Sequence, residues 1–339
     1  MPSPSPRRLP ATAVPRAHSA TPARGSAIDC RTLRFGDYRT RAILRPGRGP
    51  TVLCLHGWSD SADAYRPLFR TLSDTDINFI ALDFPGHGEG PRLLARPARV
   101  LPQMTDFVVA AIDHFSHAQS GPSLRADRAA GHTANRHSNR HGPAQAQRPM
   151  QPLILLGHSL GGRTALAAAA ERAECIAAVM ALAPAPLRLR AWLRTVAAER
   201  WLIPRAAALL RLLPDTLARR QYLRGHRRTF YAPETVDADV FARFAQFCDA
   251  RRMADYTSGL HRVGGELGDA LDLRALHMPV DLVWGCDDRL VPPAAARAYQ
   301  ARLPQARLIT LAQCGHNPAQ EQTEVVARQL RALLVHARR

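Results

Sequence analysis

The sequence predicts an α/β fold, in which strands alternate with helices around a mainly parallel sheet, and three observations predict it. Short aliphatic runs end at glycine: Leu153 to Leu156 before Gly157, Thr51 to Leu55 before His56-Gly57, and Val280 to Trp284 before Gly285. The first of these passes through Gly157-His158-Ser159-Leu160-Gly161 into an alanine-rich stretch of good helix formers. With 46% hydrophobic content in 339 residues, the chain can bury a large core.

Taken in order, Met1 to Ser26 is rich in Pro, Ser, Ala and Arg and has no acidic residue. It lacks the apolar stretch of a secretory signal and reads as a disordered tail, residues 1–26, with a composition that a transit peptide shares. The strand Thr51 to Leu55 ends in His56-Gly57, which would set the Trp58 backbone N–H beside that of Leu160 as an oxyanion hole. A second strand, Asn78 to Leu82, runs into the glycine-punctuated turn Asp83 to Gly88. A helix over Met104 to His117 is followed by a stretch, residues 118–150, rich in His, Asn, Arg, Ser, Gly and Gln without apolar periodicity, hence a solvated insertion. Its His132, His137 and His141 lack carboxylate or cysteine partners, so no metal is expected.

The G-x-S-x-G segment reads as a serine on a sharp strand-to-helix elbow. Gly157 and Gly161 would remove Cβ atoms that clash with neighbouring segments, and Ser159 would stand at the N-terminus of the helix Leu160 to Ala173, whose amides and dipole favour a developing oxyanion. A sixth strand is expected over Ala177 to Ala183. More than ninety residues of mostly helical pattern then separate it from Val280 to Gly285. Leu187, Trp192, Leu193, Trp201, Leu202, Leu209, Leu210, Leu212 and Leu213 alternate there with arginines, fitting amphipathic helices broken at Pro204 and Pro214, with the apolar stripes packed on the core and the arginines facing water. Val240 to Met253 and Tyr256 to Leu273 are expected to be helical too. Two adjacent carboxylates, Asp287 and Asp288, follow Gly285. Arg307 to Leu311 leads into Cys314-Gly315-His316, and a terminal helix starts near Ala319.

These motifs, with Ser159, Asp288 and His316 in that chain order, resemble those of the α/β-hydrolases of the esterase and lipase type, over roughly Asp37 to Ala337. The resemblance implies the α/β-hydrolase fold: an eight-stranded, mainly parallel sheet flanked by helices, with core pieces at 27–184 and 277–339 and an inserted helical cap at 185–276. It implies that His316 takes the Ser159 proton, that Asp288 orients the imidazole, and that no cofactor is needed. Asp287 is the rival acid; the family spacing Gly-x-x-Asp favours Asp288. His56, His87 and His158 are expected to fix turns. Trp58, Trp192 and Trp201 are candidate substrate contacts, and the segment Leu187 to Arg228 would offer the pocket an apolar wall with a cationic rim.

The activity implied is that of a serine hydrolase cleaving a carboxylic ester or thioester of an apolar small molecule or lipid through an acyl-enzyme. Lactonase, C–C hydrolase and haloperoxidase-like chemistry, or a non-catalytic ligand-binding protein on the same scaffold, are the alternatives. Ser159 sets the chain apart from epoxide hydrolases and haloalkane dehalogenases, which carry aspartate there. His158 and Leu160 match neither the Asn before the serine of C–C hydrolases nor the Gly-Gly-x-Trp of proline iminopeptidases.

The net charge of +18 comes entirely from arginine, since the chain has no lysine. The arginines gather in the first 49 residues, in 119–150 and in 185–276, and are not interleaved with a stacking or groove-reading motif, so no nucleic-acid partner is expected. No run approaches the roughly eighteen apolar residues of a transmembrane helix. Six cysteines without paired spacing suit the reducing cytoplasm. Neither the substrate nor the oligomeric state is written in these residues.

Overall fold

The computed structural model describes residues 27–95, 98–117, 153–188, 202–268 and 271–337. Eight strands, β1 (Asp29–Phe35), β2 (Tyr38–Arg45), β3 (Thr51–Leu55), β4 (Asn78–Leu82), β5 (Leu153–His158), β6 (Ile176–Leu182), β7 (Val280–Gly285) and β8 (Arg307–Leu311), form one sheet in the order β1-β2-β4-β3-β5-β6-β7-β8. β2 pairs antiparallel with β1 and β4, and every other pairing is parallel. The expected eight-stranded, mainly parallel sheet is therefore what forms. β5 and β7 are buried along their whole length, as continuous aliphatic runs in a sheet covered on both faces should be.

Side chains alternate across the sheet with period two. Leu53 and Leu55 join the core on one face, while Val52 and Cys54 join the core on the other. Helices α1 (Arg66–Thr71), α2 (Val100–His117) and α3 (Leu160–Glu171) follow β3, β4 and β5, and α3 packs on β5 and β6. The chain turns one way after β3, toward β4, and the other way after β5, toward β6. That reversal leaves a crevice at the carboxyl ends of these two strands, the place where sheets of this kind bind ligands.

Between β6 and β7 the described helices are α4 (Leu202–Leu210), α5 (Asp215–Arg227), α6 (Ala238–Ala245) and α7 (Ala250–Glu266). Tyr222, Phe230, Val240, Phe241, Phe244, Cys248 and Tyr256 give this insertion a small apolar cluster of its own. Two expectations are corrected here. Pro204 lies within α4 as described from Leu202 on, and Pro214 stands at a boundary, as the N-cap of α5. The helix expected over Val240 to Met253 is split at residues 246–249, where Asp249 caps α7 by accepting the Arg252 N–H at 2.6 Å. Leu202, Leu209 and Leu212 do not pack on the core; they are 65%, 66% and 79% exposed. After β7 come α8 (Ala294–Gln300), β8, the single turn α9 (Pro318–Glu321) and α10 (Thr323–His336).

Candidate active site

Ser159 occupies the turn between β5 and α3 with φ 51° and ψ −117°, a conformation that a residue with a Cβ rarely adopts. Close backbone approach holds it there. A Cβ on Gly157 would lie 2.4 Å from the Gly161 carbonyl oxygen, and one on Gly161 would lie 2.2 Å from that of Leu55. The Ser159 N–H donates to the Leu182 carbonyl at 2.9 Å, and the Ser159 carbonyl accepts from Ala185 at 2.8 Å, tying the elbow to β6.

The Ser159 hydroxyl donates to Nε2 of His316 at 3.0 Å, and Nδ1 of His316 lies 2.7 Å from Oδ2 of Asp288. A carboxylate can only accept, so Nδ1 carries the proton and Nε2 is the acceptor facing the serine. The other Asp288 oxygen accepts from the Leu290 and Val291 amides at 2.9 and 2.8 Å, which fixes the carboxylate against rotation. Asp288 is buried; Asp287 is exposed, and its amide donates instead to the Cys314 carbonyl at 2.9 Å. The geometry thus groups Ser159, His316 and Asp288 and leaves Asp287 outside.

The loop after β3 arrives beside the serine. A Cβ on Gly57 would fall 3.2 Å from Cβ of Ser159 and 3.0 Å from Nδ1 of His158, so the Trp58 peptide begins against the elbow from which the Leu160 peptide departs. The Trp58 ring is spoken for by the insertion. Its Nε1 donates to the Tyr256 carbonyl at 3.0 Å, and a Cβ on Gly259 would meet its ring at 2.5 Å. Trp192 and Trp201 lie outside the described residues, as do the segments 1–26 and 118–150.

The three turn histidines are buried and neutral. His56 bonds the Gly57 carbonyl through Nδ1 and accepts the Phe84 N–H on Nε2, and burial lowers its pKa to about 4. His87 bonds the Pro85 carbonyl, and burial lowers its pKa to about 3. His158 donates from Nε2 to the His316 carbonyl at 2.7 Å, and burial, with the nearby His316, lowers its pKa to about 3. Each fixes main chain: His56 that of Gly57 and Phe84, His87 that of Pro85, and His158 that of His316.

Two residues that no sequence motif singles out complete the surroundings. Glu321, on α9, accepts three backbone N–H groups: Gly315 at 3.0 Å, Asn317 at 2.9 Å and Tyr231 at 2.7 Å. It thereby brackets His316 and ties its loop to the insertion, which also touches that loop where the His316 N–H donates to the Thr229 carbonyl at 2.8 Å. His226, on α5, stacks on Phe244 and has Nε2 3.3 Å from Oγ of Ser59; burial, then repulsion by His316, lowers its pKa to about 4. Both contacts join segments about ninety or more residues apart, so no local pattern announces them.

Among the described residues no cluster of His, Cys, Asp and Glu could hold a metal ion, and no helix is long and apolar enough to cross a membrane.

The family model for the alpha/beta hydrolase fold matches residues 50–321. The chain is similar to the uncharacterized hydrolase YugF of Bacillus subtilis, with 24% identity over 91% of this chain and 96% of that protein. It is also similar to a pimeloyl-[acyl-carrier protein] methyl ester esterase of Nitrosomonas europaea, with 26% identity over 81% of this chain and 92% of that one. Among solved structures it resembles a bacterial membrane phospholipase A, with a TM-score of 0.66 and 18% identity over 92% of this chain and 87% of that one.

Proposed function

We propose that this chain, which belongs to the alpha/beta hydrolase family, is a serine hydrolase that cleaves a carboxylic ester or thioester of an apolar small molecule or lipid through an acyl-enzyme. The observation that carries the reading is the relay from Ser159 Oγ to His316 Nε2 at 3.0 Å and from His316 Nδ1 to Asp288 at 2.7 Å, on a serine held at positive φ.

In this mechanism Oγ attacks the acyl carbon while its proton passes to Nε2 of His316, and the tetrahedral oxyanion is met by the Trp58 and Leu160 amides. Collapse breaks the bond to the alcohol or thiol, which takes the proton from Nε2. A water molecule then gives its proton to the same nitrogen and its oxygen to the acyl carbon, and the serine leaves with the proton returned. Asp288 stabilises the imidazolium in both halves without itself becoming protonated.

We read residues 185–276 as a cap over the crevice between β3 and β5, with Trp58 as both anchor for the cap and part of the pocket wall, and Trp192 and Trp201 as further wall residues. The ester class agrees with the names of the Nitrosomonas relative and of the phospholipase structure. The six unpaired cysteines are the ground for proposing the cytoplasm.

A fluorophosphonate probe should label the protein at Ser159, and Ser159→Ala should abolish both labelling and hydrolysis of 4-nitrophenyl butyrate, with activity falling by about a thousandfold or more. A purified, folded Ser159→Ala protein that keeps most of its activity would refute the serine mechanism. Failure of the unmutated protein to take the probe or turn over any acyl ester would favour a ligand-binding role instead.

A further inference from the structure

Along α5 runs a groove of about 700 Å³ whose rim is arginine. Arg220 and Arg224 on α5, Arg228 just beyond it, and Arg289 from the loop after β7 all line it and are exposed. None of these four has a carboxylate partner among the described residues, and the groove lining contains no acidic residue. Two further arginines on the rim are held in place: Arg227 lies over the Phe241 ring at 4.2 Å, and Arg219 donates to the Cys248 carbonyl at 3.3 Å. Leu223, Phe230 and Tyr231 supply an apolar floor.

The spacing explains the concentration. Residues 216, 219, 220, 223, 224 and 227 share one face of a helix, so the arginine-rich sequence of α5 is projected to a single side. Bringing so many guanidinium groups together without acids costs repulsion, and a concave site with low-dielectric walls focuses the resulting positive field outward. Guanidinium forks match phosphate oxygens with paired hydrogen bonds, and a recess of this size fits a small molecule better than the flat contact a membrane or a folded protein makes. Two lining residues adjoin the candidate site along the chain: Arg289 follows Asp288, and Arg228 precedes Thr229, whose carbonyl accepts the His316 N–H.

We propose that this groove binds the phosphate-bearing part of a small-molecule substrate, whose acyl group reaches Ser159. The inference rests on the hydrolase reading for the second half of that statement, but the binding itself can be measured apart from catalysis. Inorganic pyrophosphate is the probe, titrated into the full chain by calorimetry at constant ionic strength. The variant Arg220→Ser/Arg224→Ser/Arg228→Ser should weaken its affinity by about tenfold or more, the loss of several charge-assisted hydrogen bonds. An equal removal of charge elsewhere, Arg34→Ser/Arg39→Ser/Arg328→Ser, should change it less than about twofold if only screened long-range terms are lost. Circular dichroism, run in parallel, should show the groove variant folded like the unmutated protein.

No pyrophosphate binding, or equal weakening by both triple variants, overturns the groove assignment whether or not the ester is cleaved. Binding to phosphatidylglycerol vesicles without binding to pyrophosphate would overturn it in favour of a membrane surface. Pyrophosphate binding at the groove by a protein that cleaves no ester would leave the site standing and refute the hydrolase reading.

Discussion

Around Ser159 the main chain leaves no room for a methyl group, whereas in the insertion it leaves room to spare. Cβ atoms on Gly157, Gly161 and Gly285 would come within 2.4, 2.2 and 2.1 Å of backbone oxygens, while those on Gly225 and Gly265, in α5 and α7, would meet nothing within 4 Å. The same residue type thus serves opposite ends. In the sheet crevice, glycine lets strand ends and loops touch so that three side chains from β5, the loop after β7 and the loop after β8 converge. In the insertion, glycine only loosens a helix, and positions are set by side chains such as Trp58, Tyr222 and Glu321 that reach across. Gly259 and Gly315 are the exceptions that mark the seam, for a Cβ on the first would strike the Trp58 ring at 2.5 Å and one on the second the Thr229 carbonyl oxygen at 2.5 Å.

The largest effect expected on the rigid side is at the carboxylate. Asp288→Asn keeps the shape but offers its oxygen and amide in competing orientations, so His316 loses the partner that fixes its tautomer. Turnover should fall by about a thousandfold to ten-thousandfold, while Asp287→Asn, exposed and outside the relay, should cost less than about threefold. Steady-state kinetics on one acyl ester decides it, and the reverse order would show that the geometry around Gly285 misassigns the acid.

How much of this was legible beforehand follows the same division. Ser159, Asp288 and His316 each follow a strand whose apolar run is local and whose turn is punctuated by glycine, so sequence alone pointed to them and to the sheet that carries them. Glu321 and His226 were not legible, because their meaning lies in contacts with Tyr231 and Ser59, far away in the chain. The insertion misled in a further way. Periodicity in Leu202, Leu209 and Leu212 announces an apolar stripe but not what covers it, and here those side chains are exposed.

A matched pair of substitutions sharpens the comparison itself. Gly161→Ala should destabilise the protein by about 3 kcal/mol or more, since the new methyl group would overlap the Leu55 carbonyl and open the elbow. Gly225→Ala adds a methyl group in open space inside a helix and should stabilise by up to about 1 kcal/mol through propensity alone. Urea unfolding followed by circular dichroism measures both. Similar losses in the two variants would mean that the insertion is packed as tightly as the crevice.

The smallest effect is at the seam, where it depends on pH. Asp60 follows Ser59, whose carbonyl accepts the Tyr222 hydroxyl, and it lines a small cavity with Val240, Arg243 and Phe244 of the insertion. Burial raises its pKa to about 8, against the hydrogen bond from the Ser61 amide at 2.7 Å, which favours the ion. A carboxyl group with a raised folded pKa binds its proton more tightly in the folded state, so its stabilising contribution is present below the unfolded value near 3.8 and is lost as pH rises toward about 8. His56, His87 and His158 oppose this at acid pH. Their folded pKa values are lowered, so their contribution is intact above 6.5 and is lost as pH falls through the range from 6.5 toward about 4 and 3. Between pH 6.5 and about 8, therefore, these histidines are silent and Asp60 titrates in the folded state. Asp60→Asn keeps the acceptor for Ser61 and removes the charge, so its stability relative to the unmodified protein should grow with pH across that window, at up to about 1.4 kcal/mol per unit, and level off above it. Urea unfolding at pH 6.5, 7.2, 8 and 9 would show the slope, and a difference that stays flat from 6.5 to 8 would mean that water or Arg243 already solvates the carboxylate and that the seam is open.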